Sequence, residues 1–159
     1  MRFKIKPYIV SILIALAVGG LSAFLTRNSM DVYGTVTVPP FAPPAWLFPV
    51  VWTVLYILMG ISAAMIYTDP VANKGEKEKG LTVYAASLAV NFFWSIIFFR
   101  VRAFLAAFLW LLLLLGLILK TIWNYKKINP IAAYLQIPYA AWVTIAGYLN
   151  LGIWLLNRA

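Results

Sequence analysis

Apolar residues along the chain fall into five long runs divided by short polar breaks, at about 7–25, 44–67, 81–99, 104–125 and 131–156. Each run is near the roughly 20 residues that cross a hydrocarbon core as a helix. The pattern therefore predicts an all-α integral membrane bundle of five transmembrane helices, forming one domain over residues 1–159. The second run opens with Pro44, suited to a first helical turn, and stops at "TDP", residues 68–70. The fifth follows the break "INP", residues 128–130. A closed barrel would require alternating polarity, which "LWLLLLLGLIL" at 109–119 lacks. The opening "MRFKIKP" leads into an apolar stretch too long for a signal peptide and without an A-x-A site, so it is expected to begin the first helix.

Inside these runs the polar and aromatic positions repeat at helical spacing. One face of the second helix carries Pro49, Trp52, Thr53, Tyr56, Met59, Gly60 and Ala63, while Val50, Val54, Leu58 and Ile61 lie largely elsewhere. The third has Tyr84, Ser87, Asn91, Trp94 or Ser95, and Phe98; the fifth has Tyr139, Trp142, Ala146, Asn150 and Ile153. An amide in hydrocarbon is costly unless turned toward protein or a cavity, so Asn91 and Asn150 should face inward. They then either bind neighbouring helices or point into a pocket. Trp46, Trp123 and Trp154 suit an interfacial belt near helix ends, whereas Trp52, Trp94 and Trp142 lie further in. Pro49 and Pro138 are each expected to free a carbonyl about one turn back and loosen the helix beside these aromatics.

Small residues form a second pattern. Ser11, Ala15, Gly19, Ser22 and Thr26 make a strip on the first helix that admits a close neighbour, a packing role. Gly60 with Ala64, and Ala85 with Ala89, form small-x-x-x-small pairs open to use inside the bundle or between two copies. The leucine-rich fourth helix is expected to face lipid over much of its surface.

Composition agrees with a membrane protein: 64% of residues are hydrophobic and 11% charged, with a mean hydropathy of +0.90, beyond what a soluble domain tolerates. The net charge of +9 would suggest nucleic acid in a soluble chain, but these basic residues sit at helix ends, where they set orientation and meet lipid headgroups. Nine of them (Arg2, Lys4, Lys6, Lys74, Lys77, Lys79, Lys120, Lys126 and Lys127) gather on one side; Arg27, Arg100, Arg102 and Arg158 gather on the other. The positive-inside rule then places the amino terminus in the cytoplasm and the carboxyl terminus outside, in a multi-pass protein of a bacterial cell membrane. The segment "KGEKEK", residues 74–79, is expected to be a solvated cytoplasmic loop.

The residues present limit the chemistry. Asp31, Asp69, Glu76 and Glu78 are the only acids, all expected in loops, and the chain has neither histidine nor cysteine. Carboxylate dyads, Ser-His-Asp triads, disulfides and the common zinc or iron ligand sets are therefore absent from the sequence. Lys120 is the one basic residue inside a run, close enough to its end to snorkel. No phosphate-cradling glycine motif occurs. Binding, rather than acid-base catalysis, is the expected activity.

Three blocks carry a resemblance to a known family: "PPAWLFPVVWTVLYILMG" at 43–60, "YAASLAVNFFWSIIFF" at 84–99 and "PYAAWVTIAGYLNLGIWLLN" at 138–157. With the five-span layout they make nearly the whole chain resemble the TspO/MBR family of translocator proteins, tryptophan-rich sensory proteins and peripheral-type benzodiazepine receptors. The resemblance implies a commonly dimeric bundle whose pocket binds porphyrins such as protoporphyrin IX and isoquinoline carboxamide or benzodiazepine-type ligands. Carried over by position, the pocket would use Trp52, Tyr56, Asn91, Trp94, Trp142, Ala146 and Leu149, with Trp46 near its mouth. No catalytic residue or cofactor is implied unless the chain shares the light- and oxygen-dependent porphyrin breakdown of some members, for which Trp52 and Trp142 match the residues concerned. The connection over 27–42 resembles the family's lid.

The chain also departs from the family pattern. Val38 and Phe41 stand where the lid usually has lysine and tryptophan, and Ser87 replaces a common glutamine. Leu151 and Leu155 replace the tyrosine and basic residue of the sterol motif, so cholesterol binding is not expected there. A loose match to the same pattern, Leu119 through Tyr125 to Lys127, is read as accidental. A flat aromatic ligand suits walls of tryptophan and phenylalanine, and without histidine or cysteine a metal-free porphyrin is favoured over haem. Three function classes follow: a ligand-binding sensor, a transporter of porphyrins or related amphiphiles, and a porphyrin-degrading enzyme.

Overall fold

A computed structural model describes residues 4–29 and 31–158; Arg2, counted above on the lysine-rich side, lies outside them. Five long apolar helical segments run through the bundle: Ile5–Leu25, Leu47–Tyr67, Lys74–Val101, Phe104–Ile128 and Pro130–Asn157. The first is α1, Ile5–Leu25. A 3-10 turn at Arg27–Ser29 and a short helix α2, Val32–Thr35, lie in the connection that follows. The second segment is α3, Leu47–Tyr67, and the third is α4, Lys74–Ser95, continued by a π-helix over Ile96–Val101. The fourth is α5, Phe104–Ile128, and the fifth divides into α6, Pro130–Leu135, and α7, Ile137–Asn157.

Helix α1 packs chiefly on α3, α4 on α5, and α5 on α7, while α6 bridges α5 and α3. The inward stripes read from the sequence form the centre: Tyr56, Met59 and Ala63 of α3, Tyr84, Asn91 and Trp94 of α4, and Tyr139, Trp142 and Asn150 of α7 are all buried. Val50, Val54, Leu109, Leu112 and Leu113 point outward, as surfaces solvated by acyl chains require. The most peripheral segment is α1, in which only Ala15 and Ser22 are buried.

Glycine sets the closest approach between helices. A Cβ on Gly60 would stand 2.5 Å from the Ile12 Cα, so this position of α3 receives the α1 backbone itself. Gly60 and the buried Ala64 thus serve the internal bundle, whereas Ala85 and Ala89 are exposed on the outer face of α4.

Four details differ from the sequence reading. Helix α3 starts at Leu47 rather than Pro44, because Pro44 and Ala45 form a turn in which their carbonyls accept from Leu47 N and Phe48 N at 3.0 and 3.3 Å. Pro49 consequently falls in the first turn, and the carbonyl it cannot serve, Ala45 O, has Phe48 N as its donor. Residues 74–79 are not a loop but the first turns of α4. Asn73 Oδ1 accepts from Glu76 N at 2.9 Å, and Glu76 Oε2 accepts from Asn73 N at 3.3 Å, a reciprocal cap that starts the helix well before its apolar part. Glu76 and Glu78 are therefore helical. The fifth segment breaks at Gln136, which puts Pro138 in the first turn of α7 instead of inside a continuous helix.

Candidate ligand site

A cavity of about 390 Å³ lies between α1, α3, α4 and α7, at the end of the bundle opposite the lysine-rich helix ends. Gly19, Ser22, Ala23 and Thr26 of α1 line it, with Phe48, Pro49, Trp52 and Tyr56 of α3. Trp94, Ser95, Phe98 and Phe99 close the side toward α4, and Ala146, Leu149 and Asn150 of α7 complete the wall. Tyr33 and Ala45 contribute from the connection. The lining is overwhelmingly apolar and aromatic, with few polar groups.

The aromatic rings hold one another in place. Trp52 stacks on Tyr56 with centroids 5.6 Å apart and meets Tyr139 edge-on at 6.2 Å. Trp94 stacks on Phe98 at 5.2 Å, and Phe98 meets Phe99 edge-on at 4.8 Å. Phe98 and Phe99 both reach the cavity although they are sequence neighbours. They lie in the π-helix that continues α4. It ends at Arg102, whose backbone is left-handed, φ 59° and ψ 27°.

Two asparagines anchor the walls. Asn91 Nδ2 donates to Tyr56 Oη at 2.9 Å, tying α4 to α3. Asn150 Oδ1 accepts from Trp94 Nε1 at 3.1 Å while its Nδ2 donates to Phe104 O at 2.6 Å, tying α7 to α4 and α5. Both amides thus bond neighbouring helices, and Asn150 also borders the cavity. Deeper in the bundle the Tyr84 and Tyr139 hydroxyls and Trp142 Nε1 are buried without a hydrogen-bond partner.

The connection over 27–46 covers the open end. Asn157 grips it twice: its Nδ2 donates to Thr37 O at 2.8 Å and its Oδ1 accepts from Thr37 N at 2.9 Å. Tyr148 Oη donates to Pro40 O at 2.6 Å, and Arg102 Nη2 donates to Thr35 Oγ1 at 2.7 Å. Pro39 lies so close to α7 that a Cβ on Gly152 would stand 2.6 Å from its ring. Tyr33 Oη donates to Pro43 O, and partial burial raises its pKa, which keeps the phenol protonated as a donor. Phe41, at the place of the family's lid tryptophan, is exposed with φ 65° and is not part of the cavity lining.

Of the eight residues named from the sequence, Trp52, Tyr56, Trp94, Ala146 and Leu149 share the cavity wall. Asn91 lies behind the wall, against Tyr56. Trp142 is 8% exposed and packs behind Phe48, ring centroids 5.5 Å apart, so Trp52 and Trp142 are not equivalently presented. Trp46 is 69% exposed at the start of α3, outside the lining. Phe48, Phe99 and the strip from Gly19 to Thr26 were not named as site residues. The strip was visible as a run of small side chains, and the same property that lets helices approach also leaves space for a guest. Tyr125, in the loose sterol-pattern match, is fully buried against Gly80 and Tyr84, so Leu119, Tyr125 and Lys127 do not share an outer surface. Among the described residues no cluster of three His, Cys, Asp or Glu side chains could hold a metal ion.

These features define a five-span helical membrane protein with an aromatic-walled cavity at one end. Residues 11–155 match the TspO/MBR family model, and the chain belongs to that family. It is 35% identical to the tryptophan-rich protein TspO of Chlorobaculum tepidum over 158 residues, 99% of each chain. It is also 35% identical to the translocator protein of Bos taurus over 141 residues, covering 88% of this chain and 83% of the relative. The tryptophan-rich sensory protein of Cereibacter sphaeroides is 32% identical over 125 residues, 79% of this chain and 76% of that protein.

Proposed function

We propose that the chain is a membrane receptor for flat, amphiphilic aromatic molecules, with protoporphyrin IX and isoquinoline carboxamide or benzodiazepine-type compounds as the ligand classes. The observation that carries this reading is the cavity itself: about 390 Å³ bounded by the faces and edges of Trp52, Tyr56, Trp94 and Phe98. Small-molecule sites occupy roughly 300–1,000 Å³ and combine apolar walls with a few orienting polar groups. A planar macrocycle gains dispersion against such rings, while Ser95 offers a polar contact in the wall. The volume is small for a whole porphyrin, so seating one requires the connection held by Asn157 and Tyr148 to move outward.

The decisive experiment is a titration of the purified protein with protoporphyrin IX, followed by tryptophan quenching. Saturable quenching is expected, weakened in Trp52→Phe and Trp94→Phe. Binding unchanged in both variants would sink the assignment.

Two further parts of the reading concern assembly and orientation. The exposed Ala85 and Ala89 offer a face on which a second copy of the chain packs; Ala85→Leu should then shift the population to monomer in detergent. The lysine-rich end is assigned to the cytoplasm and the cavity mouth to the outside, which accessibility labelling at Lys77 and at the carboxyl terminus would test.

A further inference from the structure

At the end of the bundle away from the cavity, a cleft of about 200 Å³ opens between the first turns of α4 and the last turn of α5, bounded by Glu76, Lys79, Asn124, Lys127 and Ile128. We infer that it is a binding site for a phosphate ester, the headgroup phosphate of an anionic lipid or a soluble phosphate monoester. This rests on none of the ligand assignments made for the aromatic cavity.

Several independent features of the cleft converge on an oxyanion. Asn124, in its wall, is only 7% exposed, yet its Nδ2 has no acceptor. A buried amide donor left without a partner is costly, and an anionic oxygen in the cleft would supply one once the carboxamide turns toward it. Lys79 and Lys127 stand on opposite sides. Lys127 Nζ lies 5.0 Å from the centroid of Trp123, an exposed indole, which holds the ammonium at the level where a headgroup meets protein. The lining carries one acid, Glu76, against two lysines, so it keeps a net positive charge.

Helix packing builds the cleft. Gly80 is buried, and a Cβ there would stand 3.2 Å from the Tyr125 ring and 3.9 Å from Asn124 Cβ, so α4 crosses α5 closely just beyond Lys79. The cleft lies beside this crossing. The cleft is at the end of two spans, with Ile128 at its edge, so a lipid phosphate reaches it while its acyl chains remain along the outer face of α5.

The test uses full-length protein, delipidated in non-ionic detergent and followed by native mass spectrometry and thermal midpoint. The probes are phosphatidylglycerol, diacylglycerol and glycerol 3-phosphate. Phosphatidylglycerol should give a saturable one-to-one adduct, weakened roughly thirtyfold in Lys79→Gln/Lys127→Gln. Asn124→Leu should weaken it by roughly tenfold. If glycerol 3-phosphate saturates the same site, the soluble ester is the source; if only the lipid does, the headgroup is. Three results would overturn the site: equal binding of diacylglycerol, wild-type affinity in the double lysine variant, or an equal loss in Lys4→Gln/Lys6→Gln, which removes the same charge from the start of α1. The two lysine variants change only exposed side chains, so their comparison survives any folding defect of Asn124→Leu.

Discussion

Gly19→Ala is the sharpest probe of how the helices shape the aromatic cavity. The added methyl would lie 2.2 Å from Tyr56 Cε2 and 2.7 Å from Cδ2. Ordinary carbon contacts fall at about 3.5–4.0 Å, so the ring must retreat by roughly 1.3 to 1.8 Å, or α1 must move away from α3. Either response strains the Trp52 stack, and retreat of the ring breaks the 2.9 Å bond from Asn91 to Tyr56 Oη. Overpacking costs about 1–3 kcal/mol, and a buried hydrogen bond left half-made about 1–3 kcal/mol. Alanine returns up to about 1 kcal/mol of helix propensity, leaving a net destabilisation of about 1–5 kcal/mol. Thermal unfolding in detergent reads it, and Gly20→Ala, with nothing within 4 Å of its Cβ, is the control and should be neutral or slightly stabilising. A double-mutant cycle isolates the clash: in a Tyr56→Ala background the methyl meets no ring, and Gly19→Ala should cost almost nothing. An equal loss in both backgrounds would refute the reasoning, as would wild-type stability of Gly19→Ala alone.

Asn150→Leu strands the Trp94 indole N–H and the Phe104 carbonyl together, with an expected loss of about 1–3 kcal/mol; an unchanged melting temperature would show that these bonds contribute nothing net. Asn157→Leu removes both bonds to Thr37, so the connection over the cavity should open more readily. Protoporphyrin association and dissociation should then each quicken by roughly three- to tenfold in stopped-flow quenching; unaltered rates would mean that entry does not pass this latch. Asn73→Ala deletes half of the reciprocal cap of α4 and should cost about 1 kcal/mol, read as faster amide exchange over the first turns of the helix.

The outline of the bundle was legible because acyl chains impose a simple rule. Every spanning segment must be helical and long enough, and runs of twenty apolar residues announce it. Inward faces were legible for a related reason: only protein or a cavity accepts Asn91, Ser87 or Asn150 at depth, so polar side chains point along the buried stripe. Local backbone events were less visible. The start of α4 at Lys74 depends on one reciprocal cap, and charged residues in helical turns look like a loop when hydropathy alone is read. The π-helix at Ile96–Val101 leaves no clear mark in an apolar stretch, because many side chains fit either geometry; Pro138 signalled a loosened helix but not the full break at Gln136.

The site itself divides along the same line. Five of its expected residues converge because helical periodicity carries them there, but the exclusion of Trp142 from the wall depends on one rotation: Phe48 comes between it and the cavity. Periodicity places a residue on a face to within about a quarter of a turn, and at a cavity edge that margin decides whether an indole is lining or support. The strip on α1 shows the converse. Gly19 lets the Tyr56 ring press against the helix, while Ser22, Ala23 and Thr26, continuing toward the open end, leave the volume that the other walls enclose. Close packing at one end of a small-residue face and empty space at the other follow from the same absence of side-chain bulk. Gly19 faces the Tyr56 ring whereas Ala23 borders the cavity, so bulky substitutions along this face should change character with depth. At Gly19 they should disturb the fold; at Ala23 they should fill the cavity and compete with the ligand while the protein remains folded. Ala23→Leu with a wild-type melting temperature and weakened protoporphyrin binding is the expected result, and undiminished binding would place the ligand elsewhere.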